Sequence, residues 1–161
     1  EVTRMRTRTS VFRCLTIGFA LLVAGAALPP PAPAAGKSAA AAGAAQNRSA
    51  EEWFRKGALV STYGNNTAAV GYFAKAIALD PGHSGAWFSQ GVSYGQMGRY
   101  PQALESIQRA IALEPRNGLY YYGRGRVRLL AGERNAAIED FRRAADLGDE
   151  DAQAYLKKNP Q

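Results

Sequence analysis

The chain has 161 residues and a formal charge of +7, but the charge is not spread evenly. Arg4, Arg6, Arg8 and Arg13 crowd its start, whereas Ala50–Asp151 balances 12 basic side chains against 12 acidic ones. A neutral body excludes a phosphate-tracking surface, which needs clustered Lys and Arg, and the length allows one small domain plus a leader.

The basic stretch from Met5 to Arg13 is followed by Leu15–Leu28, fourteen residues without a charge, and then by Pro29-Pro30-Pro31. Ala32-Pro33-Ala34 places small residues at the two positions that a signal peptidase reads. This order predicts a secretory signal peptide over 1–34, starting at Met5 and cleaved after Ala34, with Ala24-Gly25-Ala26 as an alternative site. Fourteen apolar residues fall short of the roughly 20 that span a bilayer, so no stable membrane anchor is expected after cleavage. The expected location is the periplasm or cell envelope of a bacterium. Cys14, the only cysteine, precedes the apolar run, where no lipobox can lie. A mature chain without it has neither a disulfide nor a thiolate metal site. Residues 35–49 (AGKSAAAAGAAQNRS) hold no large apolar side chain and read as a flexible Ala-rich linker.

From Ala50 onward the sequence repeats. Trp53, Trp87 and Tyr121 are 34 residues apart, as are Gly57, Gly91 and Gly125. The same step joins Gly64, Gly98 and Gly132, then Ala69, Ala103 and Ala137, then Phe73, Ile107 and Phe141. Ala76, Ala110 and Ala144, with Leu79, Leu113 and Leu147, complete the register without an insertion. Aromatic and small residues three and four apart share one helical face. The glycines at 64, 98 and 132 suit helix C-termini, and Asp80-Pro81 and Glu114-Pro115 stop the helices before them. Helices are therefore expected at about 50–63, 67–79, 84–97, 101–113, 118–131 and 134–147. A last helix over Asp149–Lys158 would cap the array, with the Asp149-Glu150-Asp151 run serving its N-terminus.

A 34-residue unit with aromatic, Gly, Tyr, Ala and Pro in that order resembles the tetratricopeptide repeat, most clearly at Trp87, Gly91, Tyr94, Gly98, Tyr100, Ala103, Ile107, Ala110 and Pro115. Val60 and Arg128 depart from the Tyr94 column, and Asp149 from the Pro81 and Pro115 column. The resemblance implies an all-α solenoid of three antiparallel helix pairs, at 50–83, 84–117 and 118–151, with residues 152–161 as capping helix and tail. It also implies a concave groove lined by Phe54, Phe88 and Tyr122, then Ala58, Val92 and Arg126. Trp53, Trp87 and Tyr121 are expected to fill the core, pointing about 100° away from that groove. The family's grip on a terminal carboxylate would need Lys, Arg or Asn at Phe54, Ala58, Ser89, Leu119 and Gly123; none fits, so an apolar or aromatic-bearing partner segment is expected instead.

Other polar residues read as structural. His83, the single histidine, is expected to be an exposed loop residue. Arg124, Arg126 and Arg128 alternate, so they make no single patch, and Glu139 is placed one turn before Arg143 to pair with it. No phosphate loop, nucleophile–base pair or metal-ligand spacing is present in the sequence. No catalytic residue, cofactor, metal or nucleic-acid partner is therefore expected. The expected function is a non-catalytic module that binds a protein or peptide partner; the alternative is a structural component that self-associates or docks on a larger envelope complex.

Overall fold

The structure, a computed structural model, describes residues 35–160; the expected signal peptide, its cleavage site and Cys14 lie outside them. The described chain is seven helices without a strand: α1 (Ala35–Thr62), α2 (Asn66–Leu79), α3 (Ser84–Gln96), α4 (Tyr100–Leu113), α5 (Gly118–Leu130), α6 (Arg134–Asp146) and α7 (Glu150–Lys158). They pack as antiparallel pairs, α1 with α2, α3 with α4 and α5 with α6, each pair stacked on the next and α7 closing the last. The architecture is an α-solenoid of three helix pairs and a cap.

The period expresses itself as geometry. Gly64, Gly98 and Gly132 have φ of 81°, 73° and 85°, the left-handed conformation that glycine adopts without a Cβ penalty. At each, the following amide reaches back to a carbonyl one helical turn away, as in Arg99 N to Tyr94 O at 2.9 Å and Glu133 N to Arg128 O at 2.8 Å. This is the Schellman closure of a helix end. Within a pair the helices meet over small residues. A Cβ at Gly91 would stand 2.6 Å from Ile107 Cγ1 and 2.9 Å from the Ala103 carbonyl, so α3 and α4 can approach only over glycine.

The buried core is Phe73, Ile107 and Phe141 with Ala69, Ala76, Ala103, Ala110, Ala137 and Ala144. Trp53, Trp87 and Tyr121, expected there, are only half-buried. Two of them tie the pairs together from the rim: Trp87 Nε1 donates to the Pro81 carbonyl at 3.0 Å, and the Tyr121 hydroxyl to the Pro115 carbonyl at 3.1 Å. Their polar tips need a partner, and the proline turn one step away supplies it.

The expectation of a flexible linker over 35–49 is corrected: those residues are the first half of α1. Alanine is the best helix former, and the packed half of α1 supplies the costly nucleus, so extension only has to propagate.

The chain ends its array by changing a turn. Between pairs it uses Asp80-Pro81 and Glu114-Pro115, with no left-handed residue. After the third pair Gly148 takes φ of 89°, and Asp149 N reaches Ala144 O at 3.0 Å, as in the turns inside a pair. Helix α7 therefore starts at once, N-capped by the Asp149 carboxylate, which accepts from Ala152 N at 2.8 Å. Its outer residues Gln153, Lys157 and Lys158 are exposed, and Tyr155 packs on Phe141 at 4.3 Å between ring centroids. At the opposite edge Leu59 of α1 is 59% exposed, where its counterparts Ser93 and Val127 are buried in later pairs, and Tyr63, just past α1, is 82% exposed.

Candidate functional site

The first helices of the pairs form the inner layer, with α1 touching α3 and α3 touching α5. Between α3, α5 and the start of α7 lies a pocket of about 260 Å³. Phe88 and Val92 from α3 and Tyr122 and Arg126 from α5 line it, so four of the six residues expected in the groove meet there. Phe54 and Ala58 do not. Phe54 is wedged between Phe73, 5.8 Å away, and His83, 4.7 Å away, and takes part in packing.

Leu119 and Leu130, which the sequence reading did not single out for an apolar surface, belong to the same wall and are 48% and 62% exposed. They occupy the helical positions three before Tyr122 and four after Arg126, a spacing that marks them as members of one face. Phe88 has two duties. Its ring stacks on Tyr120 at 4.8 Å and rests on Gly123, where no Cβ could fit, so it supports the α3–α5 contact as well as lining the pocket.

The α5 arginines divide. Arg124 Nη2 and Nε donate to Asp140 at 2.6 and 2.9 Å, and Arg128 Nη1 donates to the same carboxylate at 3.0 Å. Asp140, with 4% of its side chain exposed, thus gathers both in a part-buried ion-pair network. Arg128 stands in the column of Tyr94, and its charge accounts for an acid on the facing helix. The expected Glu139–Arg143 pair is absent among the described residues; the Arg143 guanidinium instead lies 5.9 Å from the Tyr121 ring. Arg126 joins no ion pair among the described residues and sits 5.9 Å from the Tyr122 ring, beside the pocket.

Polar clusters staple the junctions between pairs. His83 is not an exposed loop residue but the N-cap of α3: its Nδ1 accepts from Ala86 N at 3.2 Å. That leaves the proton on Nε2, which faces Glu51 at 3.3 Å. The Glu51 carboxyl is held below its ordinary value by the hydrogen bond from Arg55 and, more weakly, the one from His83. At the next junction Glu114 accepts from the Ser84 hydroxyl and from Asn117, which lowers its pKa in that order of effect. Burial raises that of Tyr120, whose hydroxyl donates to Ser84 at 3.0 Å. Among the described residues no cluster of three or more His, Cys, Asp or Glu could hold a metal, and no helix is long and apolar enough to cross a membrane.

Stacked antiparallel pairs with an inner layer of first helices define an α-helical repeat fold. Residues 88–154 match the model of the tetratricopeptide repeat family. That segment carries tetratricopeptide repeats, and the described array has the same fold. Similar solved structures include the Arabidopsis OM64 TPR domain, 21% identical at a TM-score of 0.64, covering 70% of this chain and 98% of that one. The first TPR of Spaghetti (RPAP3), bound to the HSP90 peptide SRMEEVD, is 21% identical at 0.65, with coverage of 70% and 90%. YrrB, described as a TPR protein with an unusual peptide-binding site, is 20% identical at 0.63, with coverage of 68% and 57%. Among curated proteins none matches this sequence.

Proposed function

We propose that this protein is a non-catalytic interaction module of the periplasm or cell envelope that holds a partner peptide or helix in the α3–α5 groove. The observation that carries this reading is the open apolar wall of Phe88, Val92, Leu119 and Leu130 around one pocket. Large apolar side chains left in water beside a concavity mark an interaction site. The peptide held by the first TPR of Spaghetti supports a peptide as the class of ligand. Leu130→Asp should abolish partner capture with helicity unchanged, while Leu113→Asp, exposed but away from the pocket, should leave capture intact. Equal capture by both variants would move the binding surface elsewhere. Export rests on the basic start, the apolar run and the Ala32-Pro33-Ala34 site; N-terminal sequencing of the exported protein should begin at Ala35.

A second reading, self-association, is favoured by Leu59 and Tyr63 at the uncovered edge of α1. Leu59→Ser with Tyr63→Ser would then convert a dimer to a monomer in light scattering without reducing capture through the groove.

A further inference from the structure

The groove proposed above has a chemistry that selects its partner, and we infer that it takes a segment carrying a bulky apolar side chain with a side-chain carboxylate within one turn of it. The inference rests on the peptide-binding reading and specifies its ligand.

The pocket's volume of about 260 Å³ lies below the range of about 300–1,000 Å³ typical of small-molecule sites. It suits one or two side chains of a longer segment whose backbone stays outside. The apolar part of its wall, Phe88, Val92, Leu119, Val127 and Leu130, favours a bulky apolar side chain, while Gln96, Tyr122, Arg126 and Asp151 supply the polar groups of the lining.

The charges fix the neighbour. Arg126 and Asp151 are the two ionised groups on the pocket's lining. Asp151 is provided for within the fold, since it stands in the first turn of α7 where the helix dipole favours an anion. Arg126 has no such provision. Arg124 and Arg128 on the same helix are spent on Asp140, whereas the Arg126 guanidinium meets no carboxylate among the described residues and is placed against the Tyr122 ring, 5.9 Å from its centroid. An arginine steadied on an aromatic face and left with its donors open is prepared for a planar carboxylate, which it can take through two parallel hydrogen bonds. Because the segment's backbone stays outside the pocket, the carboxylate that reaches Arg126 is that of an Asp or Glu side chain.

Selection of a displayed random-peptide library on the purified chain tests this. The enriched sequences should share a Leu, Ile, Phe or Met with an Asp or Glu within one turn. Titration of an enriched peptide should weaken by about tenfold in Arg126→Glu, equivalent to about 1.4 kcal/mol, and recover when its acid is changed to Lys. Circular dichroism of that variant should match the parent, because Arg126 is exposed and outside every ion pair of the described residues. An apolar consensus with no acidic neighbour, or equal binding to Arg126→Glu, overturns the inference and leaves the groove standing. Enriched peptides that bind Leu130→Asp undiminished, or no enrichment at all, overturn the groove and the inference together.

Discussion

Asp140 is the one buried carboxylate of the described residues, and its removal is a demanding test of how the third helix pair is held. Asp140→Ala leaves the Arg124 and Arg128 guanidiniums without their shared acceptor. Breaking a fully buried ion pair costs about 3–5 kcal/mol. Here the arginine side chains keep 15% and 26% exposure, so water recovers part of the loss and the expected cost is about 3 kcal/mol. With a urea slope of about 1–3 kcal/mol/M, the midpoint of unfolding followed by circular dichroism should fall by about 1–3 M. The second pair contains a neutral counterpart at the same positions, where the Ser106 hydroxyl donates to Gln90 Oε1 at 3.3 Å beneath Tyr94. The triple variant Arg124→Gln, Arg128→Tyr, Asp140→Ser copies that arrangement and should return to within about 1 kcal/mol of the parent, since a buried ion network replaced by matched neutral groups is close to neutral. A loss below about 1 kcal/mol in Asp140→Ala would class the network with exposed surface pairs, and a triple variant as weak as the single one would show that charge is not what the seam requires.

Three further outcomes follow from the same geometry. Gly91→Ala should lower stability by about 1–3 kcal/mol through overpacking against Ile107 and the Ala103 carbonyl, whereas Gly71→Ala, which meets open space on α2, should raise it by about 0.5–1 kcal/mol; thermal melts moving in the same direction would contradict the packing. Asp149→Ala should cost about 1 kcal/mol by uncapping α7, read as faster amide exchange confined to Glu150–Lys158, and uniform exchange would refute a local role. Because its folded pKa is lowered, Glu114 contributes stability that is present above the ordinary glutamate value of 4.5 and is lost as pH falls through the lowered value. Melting temperature should therefore drop on acidification below about pH 4.5, less steeply in Glu114→Gln; a drop identical in both proteins would remove Glu114 as a cause.

The helix pairs were legible because their signal is redundant: seven columns at one period locate every turn, and a left-handed glycine can be read from sequence once it recurs. Burial within a column was less legible. Trp87 and Phe88 are adjacent and both large, and which of them meets the neighbouring pair depends on the rotation of α3 against α5. The Arg124–Asp140 pair joins two helices 16 residues apart, so helical spacing alone does not reveal it, although Gln90 and Ser106 stand at the same separation and would have pointed to the seam. His83 misled because a loop position suggests exposure, while its ring nitrogen does the work of an N-cap oxygen. The Ala-rich half of α1 was misread by weighing its lack of core residues and not the nucleus waiting at its end.

The two edges of the array differ, and the difference limits its symmetry. One edge is finished by α7 with Gln153, Lys157 and Lys158 turned to water, while the other carries Leu59 and Tyr63 uncovered. Head-to-tail stacking would need both edges to be receptive, and that is the arrangement that runs on into open filaments. An association built on the α1 edge alone would therefore join the same surface of two copies about a twofold axis. Such an association closes on itself at a pair.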